Sequence, residues 1–168
     1  MQKEIASTVS WDKLFMQHVY LIASKSKDPR TKIGAVLVKD GVIISEGYNG
    51  FARGVKDYEE RYLDRELKYK FVVHGEANSV LNAVRHGINT SGATCYTQGV
   101  PCHECMKTLL QAGVKEIVVH DRWPSHGGPW AESAKLSRQM CEEAGVVIRV
   151  ISDSLGVVAY SDGNTASV

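Results

Sequence analysis

Two short runs carry the residue types that could do chemistry. His74-Gly75-Glu76 opens one helical pattern, and Pro101-Cys102-His103-Glu104-Cys105 opens the following one. Cys102 and Cys105 are three residues apart, so on a helix they share a face and both can reach one metal ion. The helix dipole in the first turn also favours the thiolate form that a metal needs. His74 would supply a third, neutral ligand. Three protein ligands leave the fourth tetrahedral position of zinc open, the arrangement of a catalytic rather than a structural site, and zinc lowers the pKa of a bound water to about 7. Glu76 stands two residues from a ligand, close enough to touch such a water without binding the metal, the place of a proton shuttle. Two plainer readings stay open: a structural zinc closed by Cys95 or His103, and a dithiol redox pair, although no thioredoxin-like arrangement surrounds it. Cys141, beside Met140 and Leu136 in a helical pattern, reads as a core residue.

The elements that must position these runs alternate along the chain. Ser10 suits an N-cap, and Trp11, Leu14, Phe15, Val19 and Ile22 then form one apolar helical stripe that Asp28-Pro29 ends. Residues 33–38 and 42–45 read as strands joined by the Lys39-Asp40-Gly41 turn. From 53 to 70, eleven of eighteen residues are charged, interleaved with Tyr58, Tyr62, Leu67 and Tyr69, a surface helix or a mobile flap. Residues 75–86 form a helix with Val80, Leu81 and Val84 inward and Gly87 just past its end. A strand at 93–97 precedes a helix that starts at Pro101 and stops at Gly113. A strand at 116–120, a helix at 130–144 closed by Gly145 and a strand at 146–151 complete the pattern. Strands alternating with helices imply an α/β domain with parallel sheet and helices on both faces. We place that domain at residues 1–152, with 153–168 a polar tail expected to be loosely held.

Composition sets outer limits. With 168 residues, 43% of them hydrophobic, the chain suits one domain with a real core. Lys+Arg 20 against Asp+Glu 19 argues against long nucleic acid or an anionic membrane as partner, but allows a small phosphorylated ligand held by one or two cations. No apolar run approaches the roughly 18 residues of a membrane span, and the N-terminal residues lack a secretion signal, so the cytoplasm is the default. In a reducing compartment a close Cys pair is more often a metal or redox site than a disulfide.

H-x-E together with P-C-x-x-C is the pattern of zinc nucleobase deaminases. The stretch 26–50, SKDPRTKIGAVLVKDGVIISEGYNG, with HGEANSVLNAVRHG and TCYTQGVPCHECMKTLLQAGVKEIVV, closely resembles deoxycytidylate (dCMP) deaminases, from about residue 11 to about 150. The zinc half-motifs are shared across the cytidine deaminase superfamily. Asp28-Pro29, Ile33-Gly34-Ala35-Val36 and Gly47-Tyr48-Asn49-Gly50 point more narrowly to the dCMP branch. The resemblance implies a three-layer α/β/α fold around a central five-stranded mixed sheet. It implies hydrolysis of dCMP to dUMP and ammonia in dTTP supply, a homo-oligomer (hexamer or dimer), and dCTP and dTTP as opposing effectors.

Carried over by position, His74, Cys102 and Cys105 look like zinc ligands and Glu76 like the acid/base, which takes a water proton as C4 of cytosine is attacked, delivers it to N3 and then protonates the departing amine. Asn49 resembles the family residue that hydrogen-bonds the nucleoside; alone, it would read as a turn asparagine. Trp123 falls where the family often carries an aromatic near the nucleotide, though it would equally cover a sheet end. Arg30, Thr31 and Lys32 form a cationic, hydroxyl-bearing loop suited to a 5′-phosphate. Arg85 falls where relatives can place an arginine near subunit contacts and nucleotide sites; a cation at a helix C-terminus needs no such role. The same chemistry on a modified cytidylate, a nucleoside, free cytosine or a base in RNA stays open. So does a non-catalytic nucleotide sensor, against which the intact Glu76 argues.

Departures from the family pattern carry their own expectations. His-Ala-Glu is His-Gly-Glu here, so Gly75 removes a methyl that is expected to widen the pocket, which leaves room for a 5-substituted cytosine. The proline usual after GYNG is replaced by Phe51-Ala52-Arg53. Some relatives carry a second zinc before the catalytic histidine, but residues 51–73 contain neither Cys nor His, so one zinc per chain is expected. The run 121–130, DRWPSHGGPW, puts His126 and a Gly-Gly pair near the expected pocket mouth.

Overall fold

Val36 and Val38 project from one face of the first strand and Ala35 and Leu37 from the other, and all four are buried. A strand buried on both faces has to lie inside a sheet that is covered on both sides. The computed structural model describes residues 7–123 and 130–168. Its first half runs α1 (Trp11–Ala23), β1 (Gly34–Lys39), β2 (Val42–Tyr48), β3 (Gly50–Phe51), α2 (Glu59–Leu63), α3 (Arg65–Phe71), β4 (Val72–Val73) and α4 (Gly75–Arg85). Then follow β5 (Thr94–Thr97), α5 (His103–Gln111), β6 (Glu116–His120), α6 (Ala131–Ala144), β7 (Val147–Ile151), β8 (Val158–Ser161) and β9 (Asn164–Ser167).

The central sheet has five strands in the order β2-β1-β5-β6-β7. β1 is antiparallel to both its neighbours, whereas β5, β6 and β7 are parallel. The sheet is therefore mixed: alternation of strand and helix produces parallel pairs only from β5 onward, because a tight hairpin supplies β2. Phe15, Met16, Val19 and Tyr20 of α1 cover one face, with Val36, Tyr96 and Val118 beneath them. Val80, Met106, Leu109 and Cys141, from α4, α5 and α6, cover the other. Among the described residues no helix is long and apolar enough to cross a membrane.

Two helices are turned from their expected orientation. On α1 the buried stripe is Phe15, Met16, Val19, Tyr20 and Ala23, while Trp11 is 66% exposed and stacks on Phe15 from outside. On α4 the inward residues are Glu76, Ser79, Val80 and Ala83, and Leu81 and Val84 face outward. The cause is close backbone approach: a Cβ at Gly47 of β2 would meet the Ser79 nitrogen at 2.3 Å. A helix lying that near a strand selects small side chains on its inner face, and Gly47 is what brings α4, with His74 and Glu76 at its start, down onto the sheet.

The chain beyond residue 152, expected to be loosely held, is a packed hairpin. β8 and β9 pair antiparallel across Asp162-Gly163, both with positive φ (49° and 81°), as a two-residue type I′ turn requires. Leu155, Ala159 and Val168 bury against the α1 face of the core. The segment is tied down further by His120, which lies fully buried on β6. Tyr20 Oη and His120 Nδ1 are 2.9 Å apart, and His120 Nε2 lies 2.9 Å from the Asp153 carbonyl. A carbonyl only accepts, so Nε2 carries the proton and Nδ1 accepts from Tyr20.

Burial lowers the His120 pKa, outweighing the Asp153 carbonyl and the nearby Asp121 and Asp153 charges that oppose it; Arg122 acts with burial. The unfolded chain therefore takes up a proton below about pH 6.5 that the folded chain refuses, so stability falls as pH drops through that value. Thermal melts from about pH 7.5 to about pH 5.5 should show this decline, and His120→Gln should flatten it. Parallel curves for the two proteins would assign the slope to other groups.

Candidate active site

His74 is the N-cap of α4 and Cys102 the N-cap of α5, both in extended backbone (ψ 158° and 160°). Cys105 is the third residue of α5, and the N-cap and third helical positions are neighbours in space. Pro101, expected as the first helical residue, lies one residue before the cap, buried, with its carbonyl accepting from Ser137 Oγ at 2.7 Å. That offset leaves Cys102 at the cap itself.

His74 Nδ1 lies 3.4 Å from Cys102 Sγ and 3.5 Å from Cys105 Sγ, and the three ligand atoms fall within 4.8 Å of one another. A zinc tetrahedron with bonds of ~2.0–2.1 Å to nitrogen and ~2.3 Å to sulfur has an N–S edge of about 3.5 Å. The donor set therefore fits zinc, and it is the one such His/Cys/carboxylate group among the described residues. All four cysteines are unbridged. Glu76, in the first turn of α4, is buried, and its Oε2 has no hydrogen-bond partner among the described residues. Buried acceptors are rarely left so, and one beside a metal-binding group awaits a donor from the ligand side.

The electrostatics follow from packing. The close approach of the two sulfurs, with His74 beside Cys102, holds Cys102 below the usual thiol range, while the Cys102 sulfur and burial push Cys105 above it. The Cys102 sulfur also raises His74, against the effect of burial. Burial pushes the Glu76 carboxyl up.

His74, Glu76 and Cys102 line a cavity of about 290 Å³. That is near the lower end of small-ligand sites, which run from about 300 to 1,000 Å³. Arg30 and Thr31 line it as well, but Lys32 does not. The Lys32 ammonium turns away to the Ser26 carbonyl and the Tyr160 ring. Asn49 lines the cavity with its amide already engaged: Oδ1 accepts from the Ile33 N–H at 2.8 Å, and Nδ2 donates to the Thr31 carbonyl at 2.9 Å. Trp123 forms part of the wall and also belongs to the core, 6.4 Å from the Tyr20 ring. Arg85 is exposed in the last turn of α4, outside the lining.

Gly75 does not widen the cavity. A Cβ there would meet the Ile33 carbonyl oxygen at 2.9 Å, so the missing methyl makes room for the backbone entering β1. His126 and the adjacent Gly-Gly pair lie outside the described residues.

Comparison with known proteins agrees with this geometry. Residues 9–121 match the family model of the cytidine and deoxycytidylate deaminase zinc-binding region. The chain belongs to this deaminase family. Human deoxycytidylate deaminase is 34% identical over 150 residues, covering 84% of this chain and 79% of the relative. ComE operon protein 2 of Bacillus subtilis is 33% identical over 144 residues, covering 85% and 72%. The dCMP deaminase of cyanophage S-TIM5, solved with dCMP and dUMP, superposes with a TM-score of 0.63 at 23% identity, over 83% of this chain and 95% of the phage protein. At that identity the likeness speaks for the fold, the α/β/α arrangement of cytidine-deaminase-like proteins.

Several walls of this deaminase pocket were hidden in the charged stretch and in the chain beyond the family match. α3 turns Arg65, Lys68 and Tyr69 to the cavity, with Val72 just past its end, a spacing of three, four and seven residues that defines one helical face. Lys68 is only 7% exposed, and its Nζ lies 2.9 Å from Oδ2 of Asp28, itself 2% exposed. Asp28 Oδ1 in turn accepts from the N–H groups of Arg30 (2.9 Å) and Thr31 (3.2 Å). The deaminase's charged segment is thus pinned to the Arg30 loop. Trp130 packs edge-on against both Tyr69 (5.9 Å) and His74 (6.2 Å), and α6 adds Ala134 and Arg138. Asp162, at the tip of the β8–β9 hairpin, also lines the cavity. Its N–H donates to Thr31 Oγ1 at 3.1 Å, and that of Gly163 to the Arg30 carbonyl at 2.8 Å.

Proposed function

We propose that this protein hydrolyses dCMP to dUMP and ammonia, using one zinc ion per chain held by His74, Cys102 and Cys105. The observation that carries the reading is the buried Glu76 carboxylate, unpartnered at Oε2, beside a His/Cys/Cys group in one cavity. Zinc, when bound, supplies Lewis-acid activation of water at neutral pH. Glu76 accepts a proton from the attacking water and delivers it to N3 as oxygen adds at C4, then takes the remaining proton from the hydroxyl on C4 and gives it to the amine, which leaves as ammonia as the C4 carbonyl forms. Trp123 and Trp130 flank the base and exclude water, while Asn49 holds the Thr31–Ile33 backbone in shape against the ligand. Arg30 and Thr31 face the 5′-phosphate. Lys32 supports that loop from behind.

On this reading the enzyme supplies dUMP toward dTTP in the cytoplasm. A homo-oligomer answering to dCTP and dTTP is the assembly to test, with Arg85 as the residue to mutate for it.

Ammonia release decides the matter across cytosine, deoxycytidine, CMP, dCMP, 5-methyl-dCMP and dCTP, with Glu76→Ala as the blank and each assay repeated after chelation and zinc add-back. dCMP should be turned over selectively, with activity lost on chelation and restored by zinc. Preference for another cytosine compound would keep the chemistry and replace the substrate. Silence across the set with zinc bound would overturn the deaminase reading, and metal analysis returning two zinc ions per chain would overturn the stoichiometry.

A further inference from the structure

Three arginines, Arg30, Arg65 and Arg138, reach the same cavity from three different elements. Lys68, the fourth cation in its lining, is already paired with Asp28. The guanidinium groups of Arg30, Arg65 and Arg138 make no ion pair or hydrogen bond among the described residues; Arg65 only leans over the Tyr69 ring, 5.7 Å from its centroid. Of the carboxylates in the lining, Asp28 is the partner of Lys68 and Glu76 is buried in the cavity beside His74, which leaves Asp162 alone against three arginines. The cavity is therefore cationic where it is not catalytic.

The two helices also have a common polarity. On α6 the stripe runs Trp130, Ala134, Arg138, and Trp130 packs against His74. Eight residues of helix then carry Arg138 about 12 Å away along the axis. On α3 the stripe runs in the opposite chain direction: Val72 stands two residues before His74, and Arg65 is the first residue of the helix, about 10 Å from Val72. Each helix thus presents an apolar or aromatic residue at the metal-binding end and an arginine at the far end.

We infer that Arg65 and Arg138 form a clamp for a single phosphate ester at the end of the ligand remote from His74, facing the Arg30 loop. The inference rests on the proposed nucleotide substrate and names the groups that would recognise its phosphate. Arg138 lies beyond the residues that match the family model, so the clamp is assigned from this chain's own fold. A cavity of about 290 Å³ suits one mononucleotide rather than a polymer. Guanidinium groups converging from two helices match phosphate oxygens through paired N–H donors.

The test uses zinc-loaded protein and 2-deoxyribose 5-phosphate, which carries the phosphate without the base, with binding measured by calorimetry. Arg65→Gln and Arg138→Gln should each weaken binding about tenfold, and the double variant more. Lys70→Gln and Lys135→Gln remove the same charge from the same two helices at positions outside the lining and should change binding by less than about twofold. Kinetically, the preference for dCMP over deoxycytidine should fall in the arginine variants by the factor lost in binding. Equal losses in the lysine controls, unchanged binding in the arginine variants, or no binding of the probe to the parent protein would each overturn the clamp. Loss of probe binding in the arginine variants of a protein that deaminates nothing would uphold the clamp and sink the dCMP reading instead.

Discussion

Glu76→Gln should lower turnover by about 10²–10⁴-fold while zinc content and fold stay as they are. The amide copies the shape of the carboxylate but cannot accept a proton from water and pass it on, so the loss should appear in kcat. The same substitution removes a carboxylate buried without a partner at Oε2, so the melting temperature should hold or rise. The two readouts move in different directions, which separates a proton carrier from a structural residue. Zinc content by atomic absorption, a thermal melt and steady-state kinetics are enough. Zinc lost together with activity would make Glu76 part of the metal site, and full activity would remove it from the chemistry.

The second large effect is on stability. Lys68→Met should destabilise the protein by about 3–5 kcal/mol, because it leaves the Asp28 carboxylate buried with no cation. Asp28 would keep the N–H groups of Arg30 and Thr31 and a long contact from the Asn49 amide at 3.5 Å, but neutral donors do not replace an ammonium at 2.9 Å. Urea unfolding should show the midpoint fall with an unchanged slope. Pairing the change with Asp28→Asn should recover part of the loss, since removing both charges costs less than stranding one. A loss below about 1 kcal/mol would mean that the pair behaves like a surface ion pair despite its burial.

What the sequence could reveal depended on how local each feature is. His74 and Glu76, like Cys102 and Cys105, are set by a helix start, and spacings of two and three residues fix the geometry within each pair; only the meeting of the two pairs, 28 positions apart, needs tertiary packing. The α3 wall was illegible for the opposite reason. Its stripe of Arg65, Lys68, Tyr69 and Val72 faces a polar cavity, so it leaves no hydrophobic period and vanishes among eleven charges in eighteen residues. Lys68 in particular is buried by a partner forty positions away. On α4 the rule that large apolar residues point inward failed because the sheet comes too close, and Ser79 and Ala83 took the places expected for Leu81 and Val84. The C-terminal hairpin, expected as a loose tail, had a turn signal of its own: Asp162-Gly163 carries the same turn chemistry as Asp40-Gly41, both pairs with positive φ. Its polar surroundings obscured it.

That hairpin bears on the order in which the site comes into being during synthesis. Every zinc-ligand candidate has been made once residue 105 is added, and Gly47 has already set the depth of α4. The last braces on the Arg30 loop come from Tyr160, Asp162 and Gly163, the Asp162 bond spanning 131 positions. A nascent chain from the N-terminus can therefore assemble its metal-binding residues while its phosphate-facing loop, held by Asp28 and Asn49, still lacks the bonds of the hairpin. Closing so long a loop is slow compared with forming a local turn. The metal half of the site is thus ready first, and the competence to hold a nucleotide arrives with almost the last residues of the hairpin.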